Sequence, residues 1–163
     1  MQQQISLQDL KQFIGKAALA TYAGGGKETT PERRGFRELE YTKGDWHYRD
    51  SFTGYLRSWG QEVVRFQGEP CWTALYGGGM TLKYQEDIAF AHETFEFLKK
   101  ALSASEKQVR FQPRGPKDFR DGNWKYECKW SGDITRFIGE EEIFYIDHLV
   151  FTHDFMGGLI ISR

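Results

Sequence analysis

Gly44-Asp45-Trp46-His47-Tyr48 opens a stretch that runs to Gly78-Gly79-Met80, and Gly122-Asn123-Trp124-Lys125-Tyr126 opens a second that runs to Gly157-Gly158-Leu159. Laid over one another, the two agree position by position. Gly54 meets Gly132 and Trp59 meets Phe137; one inserted residue then brings Gly60 onto Gly139 and Glu62 onto Glu141. Beyond it Val64 meets Ile143, Phe66 meets Tyr145, Trp72 meets Phe151, Thr73 meets Thr152 and Tyr76 meets Phe155. The chain reads as an internal duplication. Its halves, 1–81 and 82–163, are expected to form a single domain about a pseudo-twofold axis.

Within each copy the apolar residues alternate with polar ones, the period of a half-buried strand. Strands are expected at 38–42, 45–51, 54–59, 62–67 and 70–76, forming an antiparallel meander with Gln67-Gly68 as its tightest turn. The second copy repeats them at 122–130, 133–138, 141–146 and 149–155. A helix precedes each meander. Leu7, Leu10, Ile14, Ala17 and Ala18 recur at helical spacing behind an N-cap at Ser6, which places a helix over 6–21, ended by Gly24-Gly25-Gly26. Ile88, Ala91, Phe95, Leu98 and Leu102 place another over 85–103. The order is that of an α+β fold. Two amphipathic helices packed on one large curved antiparallel sheet is the expected architecture, with a partly closed β-barrel as the alternative.

Composition agrees with a globular domain. Of 163 residues, 39% are hydrophobic and 16% aromatic, enough to build a core. The formal net charge of -1 lacks the basic footprint of a nucleic-acid domain, so no direct nucleic-acid binding is expected. No apolar run approaches the ~20 residues of a membrane helix. Cys71 and Cys128 are far apart and form no CxxC pair. Met1-Gln2-Gln3-Gln4 has no basic leader region, so a cytoplasmic protein with free thiols is the expectation.

The motifs that carry chemistry are few. Gly24-Gly25-Gly26-Lys27 faintly resembles a phosphate loop, but it follows a helix and lacks the first glycine of that spacing. There is no HxH, HExxH or His/Cys cluster, so neither metal nor cofactor is expected. There is no Gly-x-Ser-x-Gly elbow, and nothing points positively to catalysis. Glu62 and Glu141 each follow a glycine turn, at Gly60 and Gly139, and read as solvated residues at strand starts. His153 and Asp154 adjoin on a strand and therefore point to opposite faces.

The duplication also filters candidates. Positions that match in both halves read as core or turn; polar or aromatic positions that differ are free to form a site. Arg49 and Asp50 stand against Glu127 and Cys128, Tyr55 against Asp133, and His153 against Ala74. Asp50 shares a strand face with Trp46 and Tyr48, so its carboxylate either pairs with a buried arginine or faces a pocket. Arg33, Arg34 and Arg57 are its candidate partners. Trp59, Trp72 and Tyr76 are the expected aromatic walls, with Tyr22 and the loop 22–37 closing over them. The candidate ligand site is thus Tyr22, Arg33, Arg49, Asp50, Tyr55, Trp59, Trp72, Tyr76 and His153. The same aromatics serve equally as core beneath the helices.

Three readings follow. The leading one is a module that binds or senses a small-molecule ligand. The second is a protein-interaction or oligomerisation module, with a homodimer formed through exposed strand edges. The third is an enzyme on a small substrate with Asp50, Glu62 or His153 as acid–base groups.

The run Ala20-Thr21-Tyr22-Ala23-Gly24-Gly25-Gly26, the segments Leu39-Glu40-Tyr41 and Gly44-Asp45-Trp46-His47-Tyr48-Arg49-Asp50-Ser51, and the ending Phe155-Met156-Gly157-Gly158-Leu159-Ile160 together resemble a bacterial domain family of unknown function. That family occurs alone or behind an XRE-type helix-turn-helix in transcriptional regulators. The Tyr-Arg-Asp-Ser segment is its most specific part. This chain is expected to be the stand-alone form, with no DNA-binding helix-turn-helix before residue 6. The resemblance implies a ligand-sensing or protein-contact module and transfers no catalytic residue.

Overall fold

A computed structural model describes residues 5–162; the leader reading of Met1–Gln4 lies outside them. Helix α1 spans Leu7–Ala20, and strands β1 to β4 span Arg37–Lys43, Trp46–Gly54, Arg57–Phe66 and Glu69–Met80. After a single 3-10 turn at Leu82–Tyr84 come helix α2, Ile88–Ser103, and strands β5 to β8 at Asp118–Asp121, Trp124–Asp133, Arg136–Tyr145 and His148–Leu159. Both helices start where a side chain takes an orphan amide: Ser6 Oγ accepts from Asp9 N at 3.3 Å, and Asp87 Oδ1 from Phe90 N at 2.9 Å.

The eight strands form one antiparallel sheet in the order β1-β2-β3-β4-β8-β7-β6-β5. It is open, with β1 and β5 at its edges, so the barrel alternative is set aside. The order reads the same from either edge once the halves are exchanged. In the central pair, Trp72 faces Leu159, Tyr76 faces Phe155 and Met80 faces Phe151. Tyr76 and Phe155 are equivalent in the repeat, so the pseudo-twofold axis runs between them. The two helices cover one face of the sheet, α1 over β1 and β2 and α2 over β5 and β6. Phe13 meets Tyr41 and Trp46 under α1, and Phe97 meets Phe119 and Trp124 under α2.

Several strand boundaries differ from the expected ones. The segments 54–59 and 62–67 are one continuous strand, β3, and 133–138 and 141–146 are one strand, β7. Gly60 and Gly139 do not turn the chain. A Cβ at Gly60 would strike the Tyr76 ring, and one at Gly139 the Phe155 ring. Each glycine is a mid-strand position over which an aromatic ring crosses, the other common use of glycine in a strand. Glu62 and Glu141 are therefore mid-strand residues on the covered face, buried rather than solvated. Strand β5 lies in a segment read as loop.

The inserted residue also sits elsewhere. Gly54 pairs with Ser58 across the β2–β3 hairpin, whereas Gly132 pairs with Phe137 across β6–β7. The extra residue is in the second hairpin turn, which makes Phe137 the counterpart of Ser58, and Ile138 that of Trp59. A one-residue shift exchanges the faces of a strand. Phe137 is accordingly buried in the core, while Trp59 lies on the uncovered face with 62% of its surface exposed.

Candidate functional site

The sheet aligns polar groups across its covered face. Asp50 on β2 stands directly opposite Glu62 on β3, and Glu62 opposite Ala74 on β4. In the other half Cys128 on β6, Glu141 on β7 and His153 on β8 stand abreast in the same way. Period-two alternation carries all five polar side chains under the helices, where water is excluded.

The loops that follow the helices break the symmetry. After α1 the chain runs out to the sheet edge, where Thr29 bridges to Glu38 and the Glu38 carboxylate accepts from the backbone amides of Glu32 and Arg33 at 3.2 Å each. After α2 it tucks under the sheet instead, burying Lys107, Gln112 and Arg114. Proline and glycine bracket Arg114 in Pro113-Arg114-Gly115-Pro116. This restricts the backbone and aims the guanidinium at the centre of the molecule.

Arg114 Nε and Nη2 each lie 2.9 Å from Glu141 Oε1, and Nη1 lies 3.7 Å from Glu62 Oε1. Its guanidinium stands 4.8 Å from the centre of the Tyr76 ring. Tyr126 Oη donates to Glu141 Oε2 at 2.7 Å and accepts from Gly115 N at 2.9 Å. His153 Nδ1 donates to Glu141 Oε1 at 3.0 Å, while its Nε2 is enclosed with no partner among the described residues. Burial pushes the Glu141 carboxyl up, but Arg114, His153 and Tyr126 outweigh it and hold it at about 2. Burial lowers His153 despite Glu141, so the ring is held neutral.

Asp50 is treated differently. It is 3% exposed, and Tyr76 Oη donates to its Oδ1 at 2.8 Å. Among the described residues its other oxygen has no hydrogen-bond donor. Burial and the facing Glu62 raise its pKa to about 7 against the pull of Tyr76 and Arg114.

Asp50, Glu62, Tyr76 and His153 line a cavity of about 310 Å³ between the sheet and the helices. The end of α1 and its glycine run form one wall, through Thr21, Tyr22, Gly25 and Gly26. Phe95 and Leu98 of α2 form another, and Leu39, Phe52 and Phe151 add apolar surface from the sheet. The volume lies near the lower end of the range typical of small-molecule sites, ~300–1,000 Å³.

Of the nine residues expected at the site, Tyr22, Asp50, Tyr55, Tyr76 and His153 reach this cavity. The other four do not. Arg49 points to the opposite face of the sheet, ion-paired with Glu38, Glu40 and Glu32, because it alternates with Asp50. Arg33 is bound to Gln61 at 2.8 Å and stands over Phe36. Trp59 is on the uncovered face. Trp72 is core, with Nε1 donating to Ile134 O at 3.0 Å. Nor does Arg33, Arg34 or Arg57 neutralise Asp50; Arg114 is the cation whose charge acts on it.

Glu62, Arg114 and Lys107 also line the cavity, with Glu141 held behind Arg114; the ligand-site reading includes none of them, and only the enzyme reading names Glu62. Matching in both halves assigns Glu62 and Glu141 to architecture. The signal that they are buried is the same-face neighbour two residues on, Val64 beside Glu62 and Ile143 beside Glu141. Among the described residues no group of three or more His, Cys, Asp or Glu side chains is arranged to hold a metal ion. Among them, too, no helix is long and apolar enough to cross a membrane.

Comparison with known proteins adds one match. Residues 50–160 fit the family model described as a domain of unknown function, DUF5680. No curated protein and no solved structure matches the chain.

Proposed function

The chain belongs to the DUF5680 family, a domain of unknown function, and we propose that it is a small-molecule binding module whose site is the cavity between the sheet and the two helices. The observation that carries this reading is Asp50. A carboxylate buried on a sheet face, with one oxygen left without a donor and a cavity beside it, destabilises a fold that has no use for it. The surrounding surface has the general form of a ligand site, apolar walls with a few convergent polar groups.

A thermal-shift screen of small fragments tests it. A fragment at ~100 times its Kd stabilises the folded state by about 2.7 kcal/mol. NMR shift changes confined to Tyr22, Asp50, Tyr55 and Tyr76 would place it in the cavity. A screen whose hits perturb only the uncovered face of the sheet counts against the reading.

Self-association is the second reading, favoured by a different observation. On the uncovered face Leu75 pairs with Met156 and Met156 with Ile138, and Trp59 lies nearby over Gly77. All four side chains are largely exposed. A second copy of the chain is the partner this reading requires. Light scattering over a range of concentrations tests it, and a mass that stays monomeric throughout rejects it.

A further inference from the structure

We propose that the ligand is anchored by a protonated amine received by Asp50 and carries an apolar body. The inference rests on the cavity being a ligand site and names the chemistry of what enters it.

An inventory of the charges carries it. Three carboxylates, Asp50, Glu62 and Glu141, are buried on this face of the sheet, against two cations, Arg114 and Lys107. Glu141 is fully engaged by Arg114, Tyr126 and His153. The remaining reach of Arg114 is toward Glu62. Glu62 is also the foremost opposite charge acting on Lys107, whose burial disfavours its charged form. The rim groups are matched among themselves: Glu28 with Arg37, and Glu96 with Lys99 at 3.1 Å. Asp50 is left over.

Each neighbouring element adds to the case. On β2 the Tyr48 ring lies two residues away on the same face, and on β4 Tyr76 uses one Asp50 oxygen. On β3 Glu62 repels a second negative charge, as does the more distant Glu38 on β1. On β8 His153 is held neutral; α2 brings His92, Glu96 and Lys99 to the cavity, and the turn after α1 brings the un-ionised Tyr22. A carboxylate or phosphate ligand would find Lys107 and Arg114 in the cavity, but both already face Glu62, and the ligand would meet Asp50 and Glu62 together. An ammonium instead supplies the missing counter-ion and donates to the unused oxygen, beside aromatic rings that favour cations. Leu39, Phe52, Phe95, Leu98 and Phe151 offer hydrocarbon to the rest of the ligand.

The protonation of Asp50 gives a second, independent readout. Near neutral pH the carboxyl is partly protonated, and pairing with a cation expels that proton. Binding of an amine therefore releases protons, more of them at pH 6 than at pH 8.

A fragment set built of matched triples makes the test, the first being phenethylamine, phenethyl alcohol and phenylacetate. These share one ring and differ in head group. Calorimetry on the full chain is expected to show the amine binding about tenfold or more tighter than the alcohol, with the acid weakest, a gap in line with a charge-assisted hydrogen bond. Asp50→Asn is expected to lose about tenfold for amines and to bring amine and alcohol to within about twofold of one another. On the wild-type chain, the apparent enthalpy in buffers of different ionisation enthalpy reports proton release, whether or not the variant folds. Amines bound no better than their alcohols, or bound without proton release, overturn the assignment. A set in which neutral or acidic fragments bind and amines do not overturns it while sparing the cavity. A set in which nothing binds overturns both.

Discussion

Glu62 and Glu141 occupy equivalent positions in the two halves, and the single guanidinium of Arg114 reaches both. The duplication has supplied two carboxylates, and one unduplicated loop supplies the arginine between them. The remaining carboxylate, Asp50, faces the cavity. Structure and candidate site thus draw on the same buried charges.

Arg114→Met leaves Glu141 buried with its charge unmet by any guanidinium. Removing one member of a buried pair costs ~3–5 kcal/mol. Urea unfolding is expected to show a loss of that size, most of it recovered when Glu141→Met is added. A loss below about 1 kcal/mol for the single variant contradicts the central role given to Arg114.

Asp50→Asn is expected to stabilise the unliganded protein at alkaline pH. The folded-state pKa of Asp50, about 7, lies above its ordinary 3.8. The folded protein thus keeps a proton that the unfolded chain gives up. Stability therefore falls as pH rises from 3.8 to about 7, and the penalty is complete above that. It is on the order of 4 kcal/mol for a shift this large. The variant is expected to exceed the wild type at pH 8 and to converge with it near pH 4, as read from denaturation midpoints. Equal midpoints at pH 8 reject the strained carboxylate.

Glu141→Gln acts at the other end of the pH scale. Its folded-state pKa, about 2, lies below the ordinary 4.5. Its stabilisation is present above 4.5 and lost as pH falls toward 2. The wild type is expected to lose on the order of 3 kcal/mol across that interval, and the variant to show a flatter acid limb. Parallel acid limbs for the two proteins would show that Glu141 is not held ionised.

Gly78→Ala tests the backbone role of the glycines at the ends of β4 and β8. Gly78 has φ +138°, and a Cβ there would strike the carbonyl oxygen of Thr152 on β8. A cost of ~3 kcal/mol is expected. Gly35→Ala is the control, with φ +82° but open space around it, and is expected to cost only about 1 kcal/mol. Similar melting temperatures for the two variants would show that the β4–β8 contact yields easily.

The places where sequence reading stopped short share a physical cause. Period-two alternation placed Asp50 on the covered face, and mismatch between the halves singled out Asp50, Tyr55 and His153, all of which reach the cavity. The same filter passed over Glu62 and Glu141, because matching does not separate a buried carboxylate from a solvated one. Gly60 and Gly139 looked like turns because glycine also permits a close crossing, and the rings that cross them lie on the next strand. Mismatch alone groups Arg49 with Asp50, although neighbours on a strand face opposite ways. Sequence likeness puts the inserted residue after Trp59 rather than in the preceding hairpin, which sends Trp59 to the wrong face.

By itself the sequence determined the α+β architecture, the two amphipathic helices, and a duplication whose halves meet about a twofold axis. Those properties live in local periodicity and in the likeness of one segment to another. Only the tertiary structure decided that the sheet is open, that Arg114 enters between Glu62 and Glu141, and that Asp50 is left without a counter-ion. Those properties depend on the paths of two unlike loops, which the repeat does not constrain, and on charges that meet only when strands distant in sequence lie side by side.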